Sequence, residues 1–213
     1  MLKVEGLKVS IGAVEILRDV HLDLVEGEFC GLIGRNGAGK TTFMRSLMGA
    51  LPATGNVVLD GQDLLKMPGH ARVLAGVGYM PEDRRLVPEF TVEENVQLPA
   101  LAANLPDAAQ RLDRIYKLMP EVAGFRGRRA LELSGGQQKM VALARALMAG
   151  RRLLILDEPF EGLAPALARR LGEVLASLKS ERISVLISES NESHVIDLLD
   201  RTFRIERGVV ARG

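Results

Sequence analysis

There is no tryptophan in this sequence, and aromatic residues of all kinds make up only 4% of it. Stacking surface for exposed nucleobases is therefore scarce. Charge of one sign is missing too: 28 Lys and Arg stand against 27 Asp and Glu, for a net charge of +1. The basic residues are scattered, so there is no electrostatic footprint for nucleic acid. A single cysteine, Cys30, excludes an internal disulfide framework and fits a reducing compartment. Lying in the apolar run EFCGLIG, it reads as core. No apolar run approaches the ~20 residues that span a bilayer. The opening MLKVEGLKVS alternates like a strand rather than a secretory leader. Tandem repeats and low-complexity tracts are absent. What remains is a chain of 213 residues, 47% hydrophobic, long enough for one α/β domain with a sizeable core.

The first third reads as short strands. HLDLVEG alternates apolar and polar residues before Glu26-Gly27 turns the chain into EFCGLIG, and NVVLDGQ closes on the hairpin dipeptide Asp60-Gly61. From about residue 91 to 149 the period becomes helical. Thr91 and Glu94 have capping-box spacing, and Leu112, Ile115, Tyr116 and Met119 share one helical face between Pro106 and Pro120. RRLLILDEP and RISVLIS are apolar runs of the buried parallel-strand type. This order predicts an α/β P-loop sheet with an N-terminal antiparallel β subdomain and a helical insertion. The boundaries predicted are 1–82 and 150–213 for the nucleotide-binding core and 83–149 for the helical part, in a single domain.

GRNGAGKTT, residues 34–42, fits G-x-x-x-x-G-K-[ST] between an apolar strand and a helical run. Gly34, Asn36, Gly37, Ala38 and Gly39 would turn backbone N–H groups toward a polyphosphate at a helix N-terminus. Lys40 would neutralise β/γ oxygens, and Thr41, with Thr42 beside it, could reach Mg²⁺. LLILDEP delivers Asp157 and Glu158 to the C-terminal edge of a central strand, where such sheets bind ligands. Asp157 suits a metal shell, and Glu158 suits polarising an attacking water. In LSGGQQK, Ser134 can cap a helix whose first turn, Gly135, Gly136 and Gln137, carries little side chain. A second anion site beside a complete P-loop suggests two chains sharing one nucleotide.

These three motifs, in this order and spacing, resemble the Walker A, signature and Walker B motifs of the ATP-binding cassette ATPases, over essentially the whole chain. No Asn-Lys-x-Asp occurs, which argues against a GTPase. GYMPEDRRLVPEFTVEENV and EGLAP resemble the corresponding stretches of ATPase subunits from branched-chain amino acid importers. The resemblance implies ATP and Mg²⁺ as ligands and puts Glu82 at the position that touches the metal-bound water. It implies a head-to-tail dimer in which Ser134 of one cassette closes on the nucleotide held by the other.

Three positions depart from the family pattern. Ile11 stands where an aromatic usually stacks on adenine, Phe160 where many cassettes have Ser, and Ser190 where most have a switch His. Phe160 reads as core, with a dimer contact as the other choice. His194, four residues past Ser190, reads as a surface residue on a helix after the last strand. The resemblance therefore implies an ATPase, tuned down by Ile11 and Ser190. It would work at the cytoplasmic face of a bacterial membrane with permease subunits, a second ATPase chain and, indirectly, a solute-binding protein. The alternatives are a nucleotide-gated regulatory clamp with little hydrolysis and, less well supported by the near-neutral charge, a cassette acting on nucleic acid or ribosomes.

Overall fold

A computed structural model describes residues 1–213. Two sheets form the frame. Strands β1 (Leu2–Ile11), β2 (Val14–Leu24), β4 (Thr54–Leu59) and β5 (Gln62–Asp63) make a sheet in the order β2-β1-β4-β5, with antiparallel pairing throughout. Strands β3 (Phe29–Ile33), β6 (Val77–Met80), β7 (Leu153–Asp157), β8 (Ser184–Glu189), β9 (Arg201–Glu206) and β10 (Val209–Arg212) make the second, in the order β10-β9-β3-β8-β7-β6. In that sheet only the β9–β10 pair is antiparallel. Every residue of β3 and of β7 is buried, as the unbroken apolar runs require.

Local chemistry sets the element ends. Asp60 and Gly61 both have positive φ, 50° and 82°, which suits the two-residue turn joining Leu59 to Gln62. Helix α3 (Val92–Ala102) opens on the anticipated capping box, with Glu94 N–H donating to Thr91 Oγ1 at 3.2 Å and Thr91 N–H to Glu94 at 2.7 Å. Helices α4 (Ala108–Leu118), α5 (Pro120–Gly124) and α6 (Gly135–Ala149) follow before β7. Ile115 and Met119 of the apolar face are fully buried. Helix α1 (Lys40–Leu47) packs between the sheets, against β7 and β8 of the second and β1 and β2 of the first, and α2 (Gly69–Leu74) carries the buried Arg72. That guanidinium donates to the carbonyls of Ser46 and Met67, at 3.0 and 3.1 Å, and so caps the end of α1 away from the P-loop. Helix α7 (Pro165–Leu178) lies between β7 and β8.

After β8 the chain differs from expectation. His194 sits in a single 3₁₀ turn, Glu192–His194, not a helix. Asn191 Oδ1 accepts from Ser193 N–H at 3.0 Å, a local bond that competes with helix propagation. The chain then leaves into the β9–β10 hairpin, which the sequence reading did not foresee.

Candidate functional site

Register brings the chemistry to one edge. Asp157 of β7 pairs with Ser188 of β8, and Glu189 of β8 with Ile33 of β3, so the C-terminal ends of three parallel strands finish together. The loop from Gly34 to Gly39 leaves β3 at this edge and runs into α1. Two of its glycines are sterically required. A Cβ on Gly34 would stand 2.4 Å from the Ile205 carbonyl oxygen, and one on Gly39, at φ 113°, would stand 2.9 Å from Leu17.

Lys40 is 4% exposed, and its ammonium lies at the centre of the loop. Its Nζ donates to the carbonyls of Gly34 at 2.5 Å and Arg35 at 3.2 Å and lies 3.0 Å from Glu158 Oε1. Ser190 Oγ is 3.3 Å from the same Nζ, 2.6 Å from Asn36 Oδ1 and 2.9 Å from Glu158 Oε1. A hydroxyl carries one proton, so Ser190 can donate to Asn36 or to Glu158, but to only one at a time.

Asp157 is fully buried. Its Oδ1 accepts from Ser188 Oγ at 2.6 Å and from Thr41 Oγ1 at 3.3 Å, and Tyr79 OH lies 3.4 Å from Oδ2. Burial raises its carboxyl pKa, and the Ser188 and Thr41 hydrogen bonds oppose that rise. Glu82 is also held above its ordinary range, first by partial burial and then by the charges of Asp157, Glu161 and Glu158. It shares a cleft beside the P-loop with Asn36, Gly37, Gly39, Lys40, Thr41, Thr42 and Glu158.

Comparison with known proteins gives this edge its context. The family model for the ABC transporter matches residues 17–161, well over half of the chain. The chain belongs to the ABC transporter ATPase family. It is similar to the high-affinity branched-chain amino acid transport ATP-binding protein BraG of Pseudomonas aeruginosa, 34% identical over 98% of this chain and 90% of BraG. It is also similar to the lipopolysaccharide export system ATP-binding protein LptB of Escherichia coli, 33% identical over 93% of this chain and 84% of LptB. Among solved structures, a nucleotide-free ATP-binding cassette from an ABC transporter superposes with a TM-score of 0.86 at 25% identity, covering 100% of this chain and 91% of that one.

In this ABC ATPase the signature residues are not part of the edge just described. Ser134 caps α6, its Oγ accepting from Gln137 N–H at 3.3 Å while Gln137 Oε1 accepts from Ser134 N–H at 3.0 Å. The clefts on the two flanks of the P-loop include none of Ser134, Gly135, Gly136 and Gln137. Ile11 is also apart from them. It is 51% exposed and pairs with Val14 next to the β1–β2 turn. The apolar wall of the P-loop cleft is Ile16 instead, because β2 crosses directly over the loop.

Phe160 is 4% exposed within the main core cluster, in agreement with the core reading. The exposed His194 ring stacks on it at 6.5 Å between centroids. The sequence reading missed Ile16, Tyr79, Ser188, Glu189 and Lys139, whose contacts all come from distant segments. Tyr79 and Lys139 lie inside stretches already singled out, GYMPEDRR and LSGGQQK, but nothing within either stretch marks their contacts.

Proposed function

We propose that this ABC ATPase binds ATP with Mg²⁺ through residues 34–42 and powers an importer for branched-chain amino acids or a related small solute. It would work at the cytoplasmic face of a bacterial membrane, docked to permease subunits and paired with a second cassette, with a solute-binding protein choosing the cargo. No helix is long and apolar enough to cross a membrane, in keeping with a peripheral subunit. Support for import over export comes from the likeness to BraG and from the GYMPEDRRLVPEF stretch. The division into a nucleotide-binding core and a helical part over 83–149 belongs to the same proposal.

The observation that carries the hydrolytic reading is the meeting of Lys40, Glu158 and Ser190 within 3.3 Å of one another at the strand edge. A clamp that only bound nucleotide would not need a carboxylate there. Lys40 and the loop N–H groups would hold the phosphates, and Glu158 would accept the proton of the attacking water. Thr41 and Asp157 supply hard oxygen donors 3.3 Å apart, the donor type Mg²⁺ takes when it keeps phosphate and water for its other positions. Bound there, the cation would neutralise the β/γ oxygens. Glu82, in the same cleft, would accept from a metal-bound water.

Because Ser134–Gln137 lie away from this chain's own P-loop, they would serve the partner's nucleotide. The test uses proteoliposomes holding both cassettes, the permeases and the binding protein. ATP turnover should rise on adding leucine, isoleucine or valine. Ser134→Ala in this chain should then slow the partner's site by about tenfold while its own site changes less. Equal losses at the two sites would contradict the head-to-tail reading, and stimulation by none of the three amino acids would contradict the importer.

Ser190 should matter modestly. Ser190→Ala should lower turnover by at most about tenfold, the equivalent of one ordinary hydrogen bond, and His194→Ala should leave it near normal. Steady-state ATPase of the two variants checks this. A collapse in His194→Ala alone would transfer the phosphate-sensing role to that histidine.

A further inference from the structure

Glu158 has φ 49°, the left-handed region, although it is not glycine. Such a conformation is strained for a residue with a side chain and persists only where the surroundings impose it. On its N-terminal side the imposing group is Ser188. Glu158 N–H donates to the Ser188 carbonyl at 3.0 Å and approaches Ser188 Oγ at 3.3 Å. On its C-terminal side the imposing group is Lys139. The Lys139 ammonium, 7% exposed, donates to the Glu158 carbonyl at 2.8 Å and to the Glu161 carbonyl at 2.5 Å. Between those carbonyls Phe160 N–H donates to the buried carboxyl of Glu189 at 3.0 Å. The turn from Glu158 to Glu161 is thus held by one lysine from α6 and one carboxyl from β8.

Lys139 is an expensive way to hold a turn. Burial pulls its pKa down, and only Glu161, Glu189 and Glu158 oppose that. Glu189 is pushed up to about 7, mainly by its own burial. An ammonium with three donors satisfies two carbonyls at once, and its charge strengthens both bonds. Lys139 also belongs to the second turn of α6, five residues after Ser134. One end of this helix therefore presents Ser134 outward, while the adjacent turn grips the backbone of Glu158.

We propose that Lys139 is a positioning residue for hydrolysis, fixing the backbone of Glu158 and tying it to the helix that carries Ser134. The proposal rests on the reading of Glu158 as the base. In that reading, hydrolysis at this chain's own P-loop depends on where α6 sits, and α6 sits according to what Ser134 meets.

The test compares Lys139→Met, Lys139→Arg, Glu158→Gln and the Lys139→Met/Glu158→Gln double variant, in assembled complexes whose partner site is silenced. Methionine keeps the apolar stem without a donor. Lys139→Met should lower kcat about tenfold or more, with the KM for ATP changed by no more than about twofold. Arginine, whose fork can donate to two carbonyls, should restore part of the rate. In the Glu158→Gln background, Lys139→Met should add less than about twofold, because the lysine acts through Glu158. Melting temperatures separate loss of fold from loss of rate. If the methionine variant does not fold, Lys139→Gln, whose uncharged amide sits on a shorter stem, should lower kcat in the same sense. A wild-type kcat in the folded lysine variants, or a full additional loss in the double variant, overturns the proposal. An unchanged kcat in Glu158→Gln alone removes the reading of the base instead.

Discussion

Lys40→Ala should weaken equilibrium ATP binding by about a hundredfold or more. The ammonium is the one cation inside the P-loop cleft, and hydrogen bonds to charged groups contribute ~1.5–3 kcal/mol each, so losing one or two reaches that factor. The effect has a second source. Lys40 lies 3.0 Å from Glu158, and both side chains are almost fully buried. Removing the lysine leaves Glu158 as an uncompensated negative charge facing incoming phosphates. The Lys40→Ala/Glu158→Gln double variant should therefore bind ATP better than Lys40→Ala alone. Isothermal titration of the isolated subunit measures all three, and affinity that survives Lys40→Ala would remove the P-loop assignment.

Glu158→Gln should lower kcat by about a hundredfold or more, within the range general-base catalysis commonly contributes. Glutamine is nearly isosteric but cannot accept the proton of water. ATP affinity should hold or rise, because Lys40 loses a competitor for its charge while keeping its bonds to the Gly34 and Arg35 carbonyls. The ATP-bound dimer should also persist longer, which size exclusion in the presence of Mg-ATP would show. Turnover equal to wild type would mean that Glu158 is not the base, and the regulatory clamp would become the better reading.

The parts of this site that were legible in the sequence are those written in contiguous residues. A glycine-rich loop between a strand and a helix, an apolar run ending in Asp157-Glu158, and a capping box at Thr91 each carry their reason within a few positions. Family resemblance extended this to Ser190, which no local pattern marks. The shell behind these residues was not legible. Ser188 meets Asp157 because β7 and β8 pair in one register, and Tyr79 meets it from β6, the neighbour on the other side. Ile16 reaches the cleft because β2 crosses the P-loop, and nothing in VEIL announces that. Lys139 looked like one more polar residue of the signature until α6 packed its second turn against the loop after β7.

Seen as a sum of charges, the cleft has a further property. Glu82 and Glu158 line it and Asp157 borders it through Thr41, and against these three carboxyl groups stands one ammonium, that of Lys40. Glu82 and Asp157 both hold their protons more tightly than usual, chiefly through burial and in smaller part through the neighbouring carboxylates. A bare polyphosphate would add to the excess, whereas one arriving with a divalent cation would relieve it. The cleft therefore discriminates by ionic form as well as by shape, favouring the cation complex of the nucleotide over the free anion.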